Sequence, residues 1–339
     1  METDTAARAA ERVPGLVLRP YAGETDLPHI LRVKNAEYEA DGLRWRESLA
    51  ELRAQYAHAS DMFDPARDMI IGEVDGEVVA HGKVDWVDTT EGLREYRSGG
   101  AVHPAWRRRG IGRAVWEVNV ARLREIAAGH QTDLPRVLGL FTGDKQAGAV
   151  ALAKAQGYEP VRWFFEMERP GIDRDLPELP PLPDGIEVRP VTREQAWTIW
   201  KADVEAFRDH WGGFDDSEAN FRRWIESPEY QPELHVVAWE GDEVAAGVIN
   251  AIYPEENAEL GIRRGWLDSV FTRRPWRRRG VAKALIARSL HLLADRGMDT
   301  GALGVDADNP TGALGLYESF GFAVVERGTA WRRPLGVAS

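Results

Sequence analysis

The hydrophobic pattern changes period several times along the second half of the chain. Ile186-Glu187-Val188-Arg189 and Leu234 to Trp239 read as short strands. Glu240-Gly241-Asp242 is a hairpin turn leading into a strand over Val244 to Tyr253. Trp266 to Thr272 and Gly301 to Asp306 predict two further strands, and Ala323 to Trp331 a closing one. Between them the period lengthens. Val281, Leu285 and Leu292 share one face of a helix over Gly280 to Arg296. Gln195 to Phe207 reads as a helix capped by Thr192, and Pro310 to Phe320 as another. Helix, antiparallel strands, then strand-loop-helix-strand is the order of an α+β fold, a central mixed β-sheet flanked by helices.

The first half repeats this plan. Leu18-Arg19-Pro20 recurs as Val188-Arg189-Pro190, and Trp106-Arg107-Arg108-Arg109-Gly110 as Trp276-Arg277-Arg278-Arg279-Gly280, both 170 positions later. Gly76 to Ala80 resembles Asp242 to Ala246, and Gln156-Gly157-Tyr158 answers Phe320-Gly321-Phe322. Four matches in one order indicate a tandem duplication, with copies of about 150 residues, an ordinary domain size. Residues 170–185 hold five prolines, which remove N–H donors and fix φ, so the stretch predicts an extended connector. The expected domains are residues 14–169 and 186–335.

Composition narrows the chemistry. A net charge of -12 opposes non-specific binding to nucleic acid or anionic membrane, since neutralising phosphates needs a basic face. The chain has no cysteine, which excludes disulfides, Cys-ligated metals and a Cys nucleophile. No metal site is expected. No apolar stretch is long enough to predict a spanning helix, and the polar start carries no visible signal peptide, so the cytoplasm is the expected compartment.

In both copies a strand ends, a basic segment follows, and a helix opens on glycine. Unpaired N–H groups and the dipole at a helix N-terminus form an anion site suited to a pyrophosphate. Gly110 and Gly112 permit close backbone approach, Ala282 is still small, and the arginines can pair with phosphate oxygens. A solvated arginine turn is the plain alternative for either loop alone.

Arg-x-x-Gly-x-Gly or Ala between strand and helix resembles the acetyl-CoA loop of the GNAT N-acetyltransferases. In the second copy Asn309-Pro310-Thr311-Gly312-Ala313-Leu314-Gly315-Leu316-Tyr317 to Phe322 is similar to that family's second signature. The resemblance covers nearly the whole chain and implies two tandem GNAT domains, with acetyl-CoA as co-substrate. The double arrangement is similar to that of the mycothiol synthases.

The resemblance implies specific roles. Val270, Phe271, Thr272, Arg277, Arg278, Arg279, Gly280, Val281, Ala282, Lys283, Asn309 and Ala313 would hold the cofactor in the second copy. Val102, Arg107, Arg108, Arg109, Gly110, Ile111, Gly112 and Arg113 would do so in the first. Tyr317 stands where the family often protonates the leaving sulfur, with packing of the last helix as the alternative. The first copy has Ala153 there and Lys145 opposite Asn309, so the second copy is expected to be catalytic and the first structural or a vestigial CoA site.

Several family members carry a strand Glu where this chain has Trp266. Asp268, two residues on, shares that strand face and is the candidate base, directly or through water. A strand-end carboxylate paired with arginine is the alternative, and Asp306 is a second candidate. Phe207, Asp209, His210 and Trp211, with Asp306, are the expected acceptor contacts, although His210 also reads as a satisfied loop histidine and the aromatics as core caps.

The function these readings imply is direct acetyl transfer in a ternary complex to the primary amine of a small molecule. Acetylation of a cysteinyl amino-sugar, antibiotic acetylation, and non-enzymatic acyl-CoA sensing are the alternatives. Either a monomer, as an internal pseudo-dimer, or a homodimer is compatible.

Overall fold

The computed structural model describes residues 3–309 and 312–336. It divides into two units. One holds the chain up to Val161, with Gly212–Arg223 and the residues from Gly328. The other holds Arg162–Trp211 and Trp224–Arg327.

In the first unit the strands β1 (Leu16–Pro20), β2 (Met69–Val74), β3 (Glu77–Asp88), β4 (Arg94–Val102) and β5 (Arg136–Gly143) lie in sequence order. Only β4 and β5 run parallel. The second unit contains β6 (Glu159–Pro170, from Arg162 on), β7 (Ile186–Arg189), β8 (Val236–Glu240), β9 (Glu243–Ile252), β10 (Arg264–Thr272) and β11 (Thr300–Asp306), in the order β6-β11-β10-β9-β8-β7. Here β10 and β11 are the parallel pair. Each sheet is mixed, as the element order predicts.

The units depart from the expected boundaries at residues 169 and 186, and the reason is strand exchange. The chain's last strand, β12 (Ala323–Pro334), pairs through Gly328↔Gly143 to Pro334↔Val137 with β5, closing the first unit's sheet. β6 pairs antiparallel with β11, Phe164↔Asp306 to Pro170↔Thr300, closing the second. Buried side chains hold each strand in place. Arg332 bonds Glu91 at 2.9 Å and Glu95 at 2.8 Å in the first unit. Fully buried Arg264 bonds Glu168 at 2.8 Å and Glu256 at 2.9 Å in the second.

Helices cover both sheets. Leu27–Ala40 and Ile111–Gly129 flank the first, burying Ile30 and Val33 on one helix and Val115, Val118 and Leu123 on the other. Ala196–Phe207 and Val281–Asp295 flank the second, burying Ile199, Ala202 and Ala206, and Leu285, Ile286 and Leu290. Burying a Leu or Ile side chain contributes about 1.5–3 kcal/mol, so these apolar stripes fix the helix faces. Thr192 accounts for the start of Ala196–Phe207, its N–H donating to Gln195 at 3.0 Å across a preceding turn of 3-10 helix. The last helix is shorter than expected, Ala313–Ser319, and Pro310 and Thr311 lie outside the described residues. Helices Glu218–Glu226 and Pro254–Leu260 were not foreseen, since neither is long enough to display a period.

Candidate active site

The two basic loops have the same backbone. Each follows a turn of 3-10 helix, Pro104–Trp106 or Arg274–Trp276. Arg107 and Arg277 are extended, Arg108 and Arg278 are left-handed at φ 64 and 62, and Gly110 and Gly280 at φ 89 and 84. A non-glycine residue at such φ is uncommon, so the same unusual conformation recurs in both loops. Glycine is required at 110 and 280 by φ. At 112 a methyl would meet Val102 at an ordinary 3.6 Å, which is why Ala282 is tolerated in the second copy.

The first arginine of each loop is turned inward. Arg107 bonds the Val102 carbonyl at 3.4 Å and Asp41 at 2.6 and 2.8 Å. Arg277 bonds the Thr272 carbonyl at 3.0 Å, Asp209 at 2.8 Å and the Ala206 carbonyl at 3.1 Å. Both tie the loop to the strand before it and to the end of the first helix. Asp209, expected on the acceptor, is thus the loop's clamp. Arg274 and Arg277 hold its carboxyl far below the usual carboxylate range. The arginine pairs considered for Asp268 fall instead to Asp209 and Asp306.

The other loop residues stand outward. Arg108 and Arg278 are exposed. Arg109 lies over Trp106, 4.6 Å from its centroid, and Arg279 reaches Glu240 at 3.3 Å. Arg113 pairs with Glu117 at 3.1 Å, and Lys283 is exposed. Ile111 and Val281 bury their side chains, so these positions can offer a ligand only their backbone N–H. Val102, Val270 and Thr272 are half-buried, while Phe271 packs in the core among Ile199, Ala202 and Ala206.

Beyond each loop the parallel strands part. β4 pairs with β5 only from Arg94↔Arg136 to Arg97↔Gly139, and both strands continue past that point. A cleft of about 490 Å³ opens there, lined by Ser98–Val102, Arg107, Arg108, Gly110 and Gly112 and by Leu140–Thr142. In the second unit β10 pairs with β11 only from Arg264↔Thr300 to Trp266↔Ala302. Strand N–H and C=O groups that do not pair across the strands need other partners, from water or from a ligand.

The copies differ at the strand before the loop. β3 and β4 pair without a register shift from Asp88↔Arg94 to Ala80↔Val102. β9 and β10 shift between Leu267 and Ser269, so Asp268 is the extra residue of a β-bulge. Leu267 packs in the core beside Leu285 and Ile286. Asp268 turns to Tyr253, whose hydroxyl donates to it at 2.8 Å and whose ring lies edge-on to Trp266. Ser269 turns to the helix Ala196–Phe207 and donates to Asp203 at 2.7 Å. Asp268 is exposed to solvent. The protein crowding its carboxyl pushes it up to about 6 against the Tyr253 bond, and Glu229 and Glu256 add to the rise.

Tyr317 is buried, its ring edge-on to Phe322 at 6.2 Å, and burial pushes its hydroxyl up to about 12. It stays protonated at neutral pH and so has a proton to donate. Its counterpart Ala153 is fully buried in the first unit's core, and Lys145 bonds the Gly42 carbonyl at 3.1 Å. The Asn309 N–H bonds the Asp306 carbonyl at 3.1 Å, and Ala313 opens the following helix after Gly312 at φ 77.

The expected acceptor loop is divided. Phe207, His210 and Trp211 stay in the second unit, Phe207 against the His210 ring at 4.2 Å and Trp211 against Phe164 at 5.9 Å. Gly212 belongs to the first, exchanging bonds with Thr90 and Glu91 at 2.9 Å each. Burial lowers the His210 imidazole despite the nearby Asp306. Asp306, the second candidate base, is held by both nitrogens of an Arg162 fork at 2.7 and 2.8 Å. Sequence reading missed Tyr253, Ser269 and Asp203. For Asp203 a signal existed: it lies on the stripe of Ile199 and Ala206, where an apolar residue is expected.

Among the described residues no group of His, Asp or Glu is arranged to hold a metal ion, and no helix is long and apolar enough to cross a membrane. Residues 30–158 and 197–322 each match the Acetyltransferase (GNAT) family. Over 318 residues the chain is 29% identical to a mycothiol acetyltransferase of Geodermatophilus obscurus, covering 90% of this chain and 93% of that one. The fold matches a GCN5-related N-acetyltransferase from Sphaerobacter thermophilus, with TM-score 0.67, 25% identity and coverage of 96% and 98%. It also matches a tandem GNAT protein from the clavulanic acid biosynthesis pathway, with TM-score 0.65, 18% identity and coverage of 96% and 100%.

Proposed function

The chain belongs to the GNAT acetyltransferase family, whose members use acetyl-CoA as co-substrate, and we propose that its second copy acetylates the primary amine of a small molecule. The observation that carries this reading is the bulge at Asp268, found beside the second loop and absent beside the first.

The loop and the free N–H groups of the helix Val281–Asp295 would hold the pyrophosphate, and the parted strand β10 the acyl carbonyl. An amine in water is R–NH3+ and has no lone pair. Asp268, poised near pH 6, takes one proton. The amine nitrogen then bonds the thioester carbon, the C–S bond breaks, and the thiolate takes the Tyr317 hydroxyl proton. A second proton passes from the nitrogen to solvent as the amide forms, Asp268 releases its proton to solvent, and the tyrosine regains its own from there. With no cysteine to carry an acyl-enzyme, one ternary complex accounts for the transfer.

The test is thiol release from acetyl-CoA with a panel of primary amines. Intersecting initial-rate lines are expected. Parallel lines, or acetylated enzyme seen by mass spectrometry, would overturn direct transfer. If no amine releases thiol while CoA still binds, the sensing reading replaces this one. The likeness to the Geodermatophilus obscurus protein favours a second reading, in which the acceptor is a cysteinyl amino-sugar. Trp266 at the strand position argues against it.

A further inference from the structure

Asp203 is a carboxylate in the wrong place for stability. It sits on the core-facing stripe of the helix Ala196–Phe207, four residues after Ile199 and three before Ala206, both buried. Its bond is to a neutral hydroxyl, Ser269 at 2.7 Å. Among the described residues no cation lies within ion-pairing distance of it. Its neighbours are engaged elsewhere. Glu205 on the same helix is held by Arg273 at 3.0 Å, and Asp268 on β10 by Tyr253 at 2.8 Å. Burial pushes the Asp203 carboxyl up to about 7, with the Ser269 bond pulling the other way. An uncompensated, half-buried carboxylate costs folding free energy, so a bound cation would relieve it.

The bulge determines where that cation would stand. Were Asp268 an ordinary ladder residue and not the extra one of a bulge, strand alternation would send Ser269 to the opposite face. With the bulge, Ser269 faces the helix Ala196–Phe207 and bonds Asp203, while Asp268 beside it bonds Tyr253. Asp203 therefore flanks the proposed base through the next residue along the strand.

We propose that Asp203, held by Ser269, binds the ammonium group of the acceptor and positions its nitrogen for Asp268. This rests on the acetyltransferase reading of the second copy. Asp203 contributes the attraction for a charged amine, and Asp268 removes the proton. The acceptor is thus recognised as R–NH3+, and a neutral alcohol of the same shape binds poorly.

The experiment compares wild type with Asp203→Asn and Ser269→Ala, using spermidine, glucosamine and tyramine as probe amines. For Asp203→Asn the KM of the best probe is expected to rise about tenfold or more, with the KM of acetyl-CoA unchanged, as loss of a charge-assisted contact requires. Ser269→Ala should show a smaller rise of the same kind. The melting temperature supplies a second readout. A carboxyl whose pKa is raised by folding destabilises the fold as pH rises through that range. Asp203→Asn should therefore melt above wild type at pH 8, with the gap narrowing at pH 5. An unchanged amine KM, or a variant that melts below wild type at pH 8, overturns the proposal. If wild type acetylates none of the probes, the acetyltransferase reading is what fails, and the melting comparison still decides whether Asp203 is an uncompensated charge.

Discussion

The two basic loops are built alike, yet the strands and helices around them are not. Both have a left-handed arginine, a left-handed glycine and an inward arginine clamped by an aspartate, Asp41 or Asp209. Of the two strands that lead into the loops, β10 is bulged and β4 is not, and the second copy has Tyr317 where the first has Ala153. Phosphate binding depends on backbone N–H groups, which any sequence with the right glycines supplies. Proton transfer depends on particular side chains, which duplication does not protect. A duplicated fold can therefore keep two cradles while one of them does chemistry.

The sharpest way to break this comparison is Tyr317→Phe. Loss of a general acid should lower kcat about a hundredfold with the acetyl-CoA KM little changed, measured by thiol release. An unchanged kcat would make the two copies chemically equal. Asp268→Asn should lower kcat/KM by about the same factor. It should also remove the fall in rate below pH 6 that protonation of Asp268 causes in wild type, because the active form is the carboxylate.

Backbone changes come next and should act on both copies alike. Gly110→Ala and Gly280→Ala each force a methyl into left-handed φ, costing about 1–2 kcal/mol of stability in chemical denaturation. Asp209→Ala should raise the acetyl-CoA KM about tenfold by releasing Arg277, as loss of a charge-assisted bond requires, whereas Asp41→Ala should leave turnover unaltered. A turnover defect in Asp41→Ala would give the first cradle a part in catalysis. The smallest effect is Ala282→Gly, within about 0.5–1 kcal/mol of wild type, since the position needs no special φ.

Much of the site was legible because its signals are local. Gly280 reports a positive φ and Thr192 a helix start, and the loop repeats at a fixed offset. Asp268 was singled out by strand alternation with Trp266, whereas the bulge there depends on pairing with β9 and has no local signal. The ion pairs of Asp209 and Asp306 were not legible, because their arginine partners, Arg277 and Arg162, are distant in sequence. Asp203 went unread because a carboxylate on a helix ordinarily faces water.

By itself the sequence determined the duplicated α+β plan, the proline-rich stretch and the two loops that open a helix on glycine. Each of these rests on residues whose own covalent structure restricts the chain: proline without its N–H, glycine without its Cβ, and apolar side chains at a helical or strand period. The tertiary structure alone decided which sheet receives β6 and which receives β12. A strand's backbone donors and acceptors are the same in every strand and carry no address. The choice is made by side chains that meet only after folding, Arg332 with Glu91 and Glu95, and Arg264 with Glu168 and Glu256. The bulge at Asp268 and the lone carboxylate of Asp203 belong to the same class, set by what lies across the sheet rather than along the chain.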